Sequence, residues 1–260
     1  MAVPGVDKYL ILKNQPLDKD LYEMEFLAPN LVPTCEPGQF IHLLPSSTLD
    51  PLLRRPISLY DVDRKKETIT LLYKVVGKGT MLMTNVESND YVDIMGPLGN
   101  NFTLKADQNV VLVGGGVGVA PLVYLARRLK EIDCKVTLLH GAENQNQLIK
   151  ARVEQIGASY KPATMDGSYG YEGFITDLLL EEIDPRDIDF IYTCGPELMM
   201  SEVVSFANRN NISGQLSLEE HMACGIGACL GCVRRLRSSD TNYVKVCKDG
   251  PVFNFNDIDI

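Results

Sequence analysis

The stretch NVVLVGGGVGVAPLVYLARRL, which starts at Asn109, limits the fold of this chain more than any other feature. Its apolar, β-branched start predicts a strand, a turn with four glycines follows, and APLVYLARRLKEI predicts a helix. The alternation continues with KVTLLHG, QNQLIKARVEQIG, DFIYTCG and PELMMSEVVSFANRN, which predict strand, helix, strand and helix. Residues 103–213 are therefore predicted to form an α/β domain with a doubly wound parallel sheet.

Residues 1–102 have a different rhythm. Short segments rich in β-branched and aromatic residues, KYLILKN, LYEMEFLA, QFIHLL, ETITLLYKVV and YVDIMG, are separated by turn formers. This pattern predicts an antiparallel β-sheet or β-barrel ahead of the α/β domain, and we expect the barrel. Residues 214–260 follow neither rhythm and are rich in cysteine and glycine, so they are expected to form a small third segment.

Composition restricts the class of function and the compartment. Hydrophobic residues make up 45% of 260 positions, which predicts packed globular domains. The net charge of −9 argues against nucleic-acid binding, which needs clustered Lys and Arg. No signal peptide or membrane span is recognisable, so we expect a cytoplasmic, reducing location, where cysteines are better read as metal ligands than as disulfides.

Four cysteines follow the spacing C-x4-C-x2-C-x14-C, namely Cys224, Cys229, Cys232 and Cys247. The x4 and x2 intervals are typical of plant-type [2Fe–2S] sites, in which one loop delivers three thiolates and a distant residue delivers the fourth. Glycines and an alanine between the cysteines leave room for the loop to wrap a cluster. Backbone N–H groups in such a loop can also point at the sulfurs and tune the potential.

Two alternatives to an iron–sulfur site stay open at this point. Zinc loops usually pair C-x2-C with a second such pair or with histidines, whereas only His221 lies nearby, ahead of the first cysteine. Buried free cysteines are the other alternative, and that interpretation suits Cys35 and Cys134 best.

The glycine turn is a candidate nucleotide site. It follows a strand, opens a helix and matches G-x-G-x-x-P through Gly116, Gly118 and Pro121, although many glycine turns serve only packing. Glu143 follows the next strand and either meets a ribose 2′-hydroxyl or is a solvated loop residue. The stretch HGAENQNQLI has no arginine for a 2′-phosphate, which favours NAD over NADP. Cys194 ends the last predicted strand and is either a nicotinamide contact or a packing residue.

Two stretches of the predicted barrel are candidate anion sites. Arg54 and Arg55 precede a proline-fixed strand and can present a guanidinium to a phosphate, or can simply be a surface pair. The strand LLYKVV ends in Gly77-x-Gly79-Thr80, where a short helix can start. Two anion sites on one barrel fit a dinucleotide with a pyrophosphate, such as FAD.

These motifs together resemble the ferredoxin–NADP reductase superfamily over essentially the whole chain. Arg55-Pro56-Ile57-Ser58 corresponds to its flavin motif R-x-[YF]-[ST], and Gly77-Lys78-Gly79-Thr80 to its second flavin segment. Gly96-Pro97-Leu98-Gly99 resembles a conserved turn, while Gly116–Pro121 and Cys194-Gly195-Pro196 resemble the nicotinamide motifs. One departure is Ile57, which stands where many members have an aromatic residue that packs on the flavin.

Within the superfamily, RRPISLYD and the short cluster segment resemble the electron-transfer subunits of NAD-dependent (type B) dihydroorotate dehydrogenase. The resemblance implies FAD, one [2Fe–2S] cluster, NAD+ as acceptor and a separate FMN-containing catalytic subunit that oxidises dihydroorotate in pyrimidine biosynthesis. It also implies a heterotetramer with two copies of each subunit. The implied FAD contacts are Arg55, Pro56, Ile57, Ser58, Leu72, Tyr73, Lys74, Gly79 and Thr80, the implied NAD contacts are Gly116, Gly118, Pro121, Glu143, Cys194, Gly195 and Pro196, and the implied cluster ligands are the four cysteines at 224, 229, 232 and 247.

Two other functions fit the same motifs. A reductase subunit of a hydrogenase- or transhydrogenase-associated complex would carry the same cofactors and differ in its partner. A non-enzymatic iron–sulfur scaffold or redox sensor would lack turnover with NADH. No arrangement of nucleophile and base, or of paired carboxylates, points to hydrolysis.

Overall fold

A computed structural model describes residues 5–46, 48–237, 239 and 241–260. The chain divides into two compact units. The barrel unit comprises the described residues up to Asn101 together with 219–234 and 243–251. The sheet unit comprises Phe102–Leu218, the described part of 235–242, and Val252–Ile260. The division of the chain into domains at 102 and 213 stays a prediction.

The barrel unit is a closed six-stranded barrel with strand order β1-β2-β5-β4-β3-β6. The predicted antiparallel barrel is thus confirmed. Its strands are β1 (Gly5–Pro16), β2 (Leu21–Leu27), β3 (Phe40–Leu43), β4 (Arg55–Asp63), β5 (Thr68–Lys74) and β6 (Tyr91–Leu98). A one-turn 3-10 helix, Val32–Thr34, lies between β2 and β3, and the short helix α1 (Lys78–Met83) follows β5. Closure of the sheet leaves none of these strands at an edge.

The third strand, β3, lies next to the candidate flavin strand β4. It lies between β4 and β6, with Phe40 opposite Ser58 and His42 opposite Pro56. Residues directly opposite each other in an antiparallel pair have side chains on the same face of the sheet. Phe40 and His42 therefore share one face with the candidate flavin residues Pro56 and Ser58.

The sheet unit contains a seven-stranded sheet with order β10-β9-β8-β7-β11-β12-β15. Its strands are β7 (Asn109–Gly115), β8 (Lys135–Ala142), β9 (Ser159–Thr164), β10 (Tyr171–Glu172), β11 (Phe190–Cys194), β12 (Ser213–Ser217) and β15 (Val252–Asn254). The helices are α2 (Ala120–Lys130), α3 (Lys150–Ile156), α4 (Ile175–Glu182) and α5 (Glu197–Arg209), with 3-10 turns at Gly116–Val119, Gln145–Gln147 and Pro185–Asp187. All neighbouring strands are parallel except β15, which pairs antiparallel with β12.

The chain order reverses between β7 and β11, which is where a ligand is expected in an open α/β sheet. The glycine turn after β7 and the Cys-Gly-Pro segment after β11 both lie at this switch point. The doubly wound parallel sheet predicted from the sequence is thus confirmed.

Several elements differ from the sequence prediction. The helix predicted over QNQLIKARVEQIG begins only at Lys150, because Gln145–Gln147 form a 3-10 turn and Leu148 is extended. Four elements, β9, β10, α4 and β12, were not predicted, and neither was the edge strand β15. The C-terminal segment also forms a two-stranded sheet of β13 (Val233–Arg235) and β14 (Tyr243–Lys245), followed by the helix α6 (Val246–Asp249). No helix in the described part of the chain has the length and apolar character to cross a membrane.

Candidate functional site

The two nicotinamide motifs of the sheet unit interlock through their glycines. A Cβ atom built on Gly118 would stand 2.5 Å from the Cα atom of Gly195, and one on Gly115 would stand 2.7 Å from Cδ of Pro196. Real Cβ atoms do not come that close, so glycine is required at both positions for this packing. Pro121 lies in the first turn of α2. The structure therefore brings the predicted residues Gly116, Gly118, Pro121, Cys194, Gly195 and Pro196 to one edge of the sheet.

A buried histidine that the sequence analysis missed supports the glycine turn. Nε2 of His140 lies 3.2 Å from the carbonyl oxygen of Gly116, and Nδ1 lies 3.0 Å from the hydroxyl of Tyr160. A carbonyl only accepts, so Nε2 carries the proton and Nδ1 accepts from Tyr160. Burial lowers the pKa of His140 to about 4, against a smaller raising effect of the Gly116 carbonyl, so the ring is neutral at pH 7. Gly116 has φ +53°, and His140 holds its carbonyl in place.

The other two predicted NAD contacts differ in exposure. Glu143 is exposed just beyond the carboxyl end of β8, with Nε2 of Gln147 3.5 Å from its Oε2. This is the place where an acidic side chain meets a ribose in such sheets. Cys194 is buried at the end of β11, opposite Gly114. Its contact with nicotinamide stays a prediction.

In the barrel unit, Arg55 lies across the second flavin segment. A Cβ atom built on Gly79 would stand 2.2 Å from Nε of Arg55, so the guanidinium rests on the bare backbone of this glycine. Nη1 of Arg55 donates to the carbonyl of Leu53 at 2.6 Å and more weakly to that of Arg54 at 3.3 Å. Among the described residues Arg55 forms no ion pair. Its charge is therefore open to an anion.

Arg54 has a different role. Its Nη2 contacts Oδ1 of Asp93 at 2.6 Å, and its Nη1 donates to the carbonyls of Asp93 and His42 at 3.2 and 3.3 Å. These bonds fasten the start of β4 to β6 and β3. The two adjacent arginines therefore differ in role. Arg54 bonds strands of the barrel to one another, whereas the guanidinium of Arg55 forms no ion pair among the described residues.

The remaining predicted flavin residues fall into two groups. Pro56, Ile57 and Ser58 are half-buried along β4, whereas Leu72, Tyr73 and Thr80 are buried. Tyr73 donates its hydroxyl to Asn14, and Lys74 is paired with Asp20. The Thr80 hydroxyl accepts from the N–H groups of Val76 and Gly77 at 2.9 and 3.2 Å, which caps α1. The contacts of Leu72, Tyr73 and Thr80 with a flavin stay a prediction.

The four predicted cluster ligands come together in the barrel unit as two pairs. In the first pair, the backbone N–H of Cys229 donates to the sulfur of Cys224 at 3.4 Å. In the second pair, the backbone N–H of Cys247 donates to the sulfur of Cys232 at 3.4 Å. Cys229 is exposed and Cys224 half-buried, whereas the other pair is buried. Within the described residues, no group of three or more His, Cys, Asp or Glu side chains is arranged to hold a metal ion. Two pairs of thiols instead suit a two-iron group, which takes four thiolates in all.

Backbone N–H groups point at the sulfurs of the loop. Gly227 donates to Cys247 at 3.2 Å, Ala228 to Cys224 at 3.3 Å, and Gly231 to Cys229 at 3.4 Å. Gly225 and Gly227 have φ +69° and +80°, so glycine is what lets the loop turn its amides inward. Such a cradle stabilises negative charge on sulfur, as a thiolate-bound cluster requires.

The electrostatics of the two pairs differ. Desolvation by burial raises the pKa of Cys224, but hydrogen bonds from the backbone of Ile226 and from Cys229 outweigh this effect. The pKa of Cys224 is lowered to about 6. Burial, and then the neighbouring Cys232, raise the pKa of Cys247. Iron binding needs thiolates, so the Cys224 sulfur is prepared for ligation, whereas the Cys247 thiol has to lose its proton when a metal binds.

Comparison with known families settles the relationship. The family model described as the iron–sulfur cluster binding domain of dihydroorotate dehydrogenase B matches residues 219–259, and an oxidoreductase NAD-binding domain matches residues 112–205. A dihydroorotate dehydrogenase B (NAD(+)) electron transfer subunit from Desulforamulus reducens is 40% identical over 235 residues, covering 89% of this chain and 90% of that protein. The subunit of the same name from Geobacillus sp. is 39% identical over 257 residues, covering 97% and 98%.

The chain belongs to this family of electron transfer subunits. A solved structure of an NADH-dependent reduced ferredoxin–NADP oxidoreductase, which concerns flavin-based electron bifurcation, matches with a TM-score of 0.86 and 27% identity over 98% of this chain and 91% of that one. The resemblance inferred from the motifs is thereby confirmed. The motifs located the glycine-rich, Arg-Pro and cysteine segments of the chain. They gave no role to two buried histidines, His42 and His140. A polar residue inside an apolar strand, as in QFIHLL and KVTLLHG, was the only signal for either histidine.

Proposed function

We propose that this chain carries electrons from a catalytic subunit that oxidises dihydroorotate to NAD+, using a [2Fe–2S] cluster and FAD, within pyrimidine biosynthesis. The observation that carries the proposal is the paired arrangement of Cys224, Cys229, Cys232 and Cys247 under inward-pointing amides. Membership in the electron transfer subunit family supports the identity of donor and acceptor. The partner is an FMN-containing catalytic subunit, and the assembly is a heterotetramer with two copies of each chain.

FAD is held by the barrel in this proposal. Arg55 provides the cation for the pyrophosphate, and the backbone of the Gly77–Thr80 segment provides the second contact. Gly79 lacks a side chain, which is why Arg55 can lie against this segment. Nicotinamide exchanges two electrons as a hydride, whereas an iron–sulfur cluster passes one electron at a time. When bound, FAD supplies both kinds of transfer and so connects the two.

NAD binds at the switch point of the sheet unit. Gly116, Gly118 and the start of α2 receive the pyrophosphate, as expected for a strand–turn–helix unit. Glu143 accepts from the ribose 2′-hydroxyl, and the absence of a phosphate-binding cation in HGAENQNQLI favours NAD over NADP. Cys194, Gly195 and Pro196 border the nicotinamide.

A reducing, cytoplasmic location is also part of the proposal. The four cysteines of the proposed cluster must be reduced thiolates to bind iron, which a reducing compartment favours. Proteins in oxidising compartments more often pair such residues as disulfides.

A second candidate is a reductase subunit of a transhydrogenase-type complex. The observation in its favour is the TM-score of 0.86 with a ferredoxin–NADP oxidoreductase chain. Identity to that chain is 27%, against 40% to the Desulforamulus reducens subunit, so the dihydroorotate assignment is preferred.

Purification from the native cell with a tag on this chain distinguishes the two. The co-purifying chain is identified by mass spectrometry, and the complex is assayed for dihydroorotate-dependent NAD+ reduction. Recovery of a dihydroorotate dehydrogenase catalytic chain with this activity supports the proposal. A different partner, with reduction of ferredoxin or NADP+ instead, overturns it.

A further inference from the structure

His42 is a buried polar side chain that no part of the proposed function uses. It lies in the middle of β3 with no solvent exposure, and neither Nδ1 nor Nε2 has a hydrogen-bond partner among the described residues. An imidazole buried in this way loses its hydrogen bonds to water without replacement, which destabilises a fold. Native proteins rarely keep such a group unless an ordered water or a ligand bonds it.

The neighbours of His42 indicate which ligand its ring can bond. One edge of the ring faces the cysteine loop: a Cβ atom built on Gly225 would stand 2.8 Å from both Cε1 and Nδ1 of His42. Gly225 directly follows Cys224, a member of the Cys224–Cys229 pair. The Phe40 ring packs edge-on at 5.9 Å between ring centres. On the strand side, the cross-strand neighbour of His42 is Pro56 of the flavin stretch.

The charge state of the ring follows mainly from its burial. Burial, together with the smaller effect of the positive charges of Arg54 and Arg55, lowers the pKa of His42 to about 4. Arg54 bonds the carbonyl of His42 and not its ring. The imidazole is therefore neutral, with one N–H donor and one lone pair available.

We propose that His42 is a positioning residue for the cluster, donating an N–H hydrogen bond to a sulfur atom on the Cys224 side of the loop. This inference rests on the proposed function, because it requires a cluster bound by the loop. A donor at this point stabilises the additional negative charge of the reduced cluster and so raises its reduction potential. Since β3 also borders the flavin stretch, the same residue fixes the cysteine loop against the strand that neighbours the flavin site.

The test uses the assembled complex and three variants. His42→Phe removes the donor and keeps a planar ring, His42→Gln keeps a donor, and His221→Gln is a control for the other histidine near the loop. Cluster reduction is followed by EPR in a redox titration. We expect His42→Phe to make reduction about tenfold less favourable, which is about 59 mV for a one-electron couple. His42→Gln and His221→Gln are expected to stay within about twofold of the unsubstituted complex.

A second measurement does not depend on the folding of either His42 variant. The reduced, unsubstituted complex labelled with 15N-histidine is expected to show a weak 15N coupling to the cluster in pulsed EPR, which persists in His221→Gln. A cluster potential unchanged in His42→Phe, a shift confined to the flavin, or no 15N coupling overturns the role of His42. A complex purified without any [2Fe–2S] signal would instead refute the proposed function.

Discussion

The guanidinium of Arg55 lies directly on the backbone of Gly79, so closely that a Cβ atom on the glycine would stand 2.2 Å from Nε. Gly79 belongs to the second flavin segment and Arg55 to the first. The contact therefore joins the two stretches that the sequence analysis identified separately as anion sites. It also explains why a glycine is needed at a position with no unusual φ angle.

Substitution of Gly79 by alanine is expected to displace Arg55 and weaken FAD retention. The new methyl group occupies the space of the guanidinium, which is the end of a flexible side chain and has to move away. Gly5→Ala is the matched control, since a Cβ atom there meets nothing within 4 Å and Gly5 lies on β1, outside both flavin segments. FAD per chain, measured by absorbance after gel filtration, should fall in Gly79→Ala and stay near unsubstituted in Gly5→Ala. Equal retention in both would remove the role of this contact.

Arg55→Ala and Arg54→Ala are expected to fail in different ways. Loss of a charge-assisted phosphate contact in Arg55→Ala should weaken FAD binding about tenfold or more, with little loss of stability. Arg54→Ala breaks the half-buried pair with Asp93 and should lower the free energy of unfolding by about 2 kcal/mol. FAD titration and urea unfolding separate the two effects. The same FAD affinity in both variants would contradict the assignment of Arg55.

Cys229→Ser is expected to abolish the visible absorbance and EPR signal of the cluster while FAD stays bound. Serine does not replace a thiolate well, and Cys229 lies in the cysteine loop whereas the FAD contacts lie on β4 and the α1 segment. Cys134→Ser is the matched control, because Cys134 is buried in the sheet unit and bonds the carbonyl of Lys105. Iron and acid-labile sulfide analysis of both variants completes the test. A full cluster signal in Cys229→Ser would show that the ligand set is wrong.

The pH dependence of stability should reveal His140. Its pKa is about 4 when folded and near 6.5 when unfolded, so above pH 6.5 the ring is neutral in both states. As the pH falls from 6.5 towards 4, only the unfolded chain gains the proton, and stability is lost at up to about 1.4 kcal/mol per pH unit. His140→Gln should be less stable at pH 7.5, because the Gly116 carbonyl loses its donor, yet less sensitive to acid. Urea unfolding by circular dichroism at pH 7.5 and 5 should show the gap between the two proteins narrowing; a constant gap would contradict the assignment.

Sequence patterns predicted those elements of the fold that depend on neighbouring residues in the chain. The barrel strands, the strand–turn–helix at β7 and the spacing of the cysteines all appeared in contiguous stretches. Elements fixed by distant pairing did not: β15 has three residues and exists because it joins the edge of β12. The start of α3 was misplaced because Asn144 caps a 3-10 turn first, with its side chain accepting from the N–H of Asn146.

The site was predictable to the level of segments and not of side chains. Arg54 and Arg55 are adjacent in sequence, and only the pairing of Arg54 with Asp93 on β6 shows which of them is committed to the barrel. His42 and His140 look like ordinary members of apolar strands. Their roles depend on Gly225 and Gly116, which are 183 and 24 positions away and reach them only through the fold.

The last prediction concerns docking of the catalytic subunit on the cysteine loop. Leu230 follows the exposed ligand Cys229, is 62% exposed, and has φ +59°. A leucine in the left-handed region costs about 1 kcal/mol or more, and an exposed leucine gains nothing in return within this chain. Ile226, in the same loop, is 50% exposed. We expect both side chains to be covered by the partner, next to the thiol pair through which single electrons enter.

Leu230→Lys should therefore abolish co-purification with the catalytic subunit and dihydroorotate-dependent NAD+ reduction, because an unpaired charge in the interface costs about 3 kcal/mol or more. NADH-to-dye activity needs only this chain and should persist. Leu230→Gly separates backbone from side chain: it relieves the left-handed strain, so the isolated chain should become slightly more stable while partner binding weakens. Leu180→Lys, on the exposed face of α4, is the control for an added lysine elsewhere. If Leu230→Lys assembles and turns over normally, the partner docks on another surface and the strain at Leu230 has a different cause.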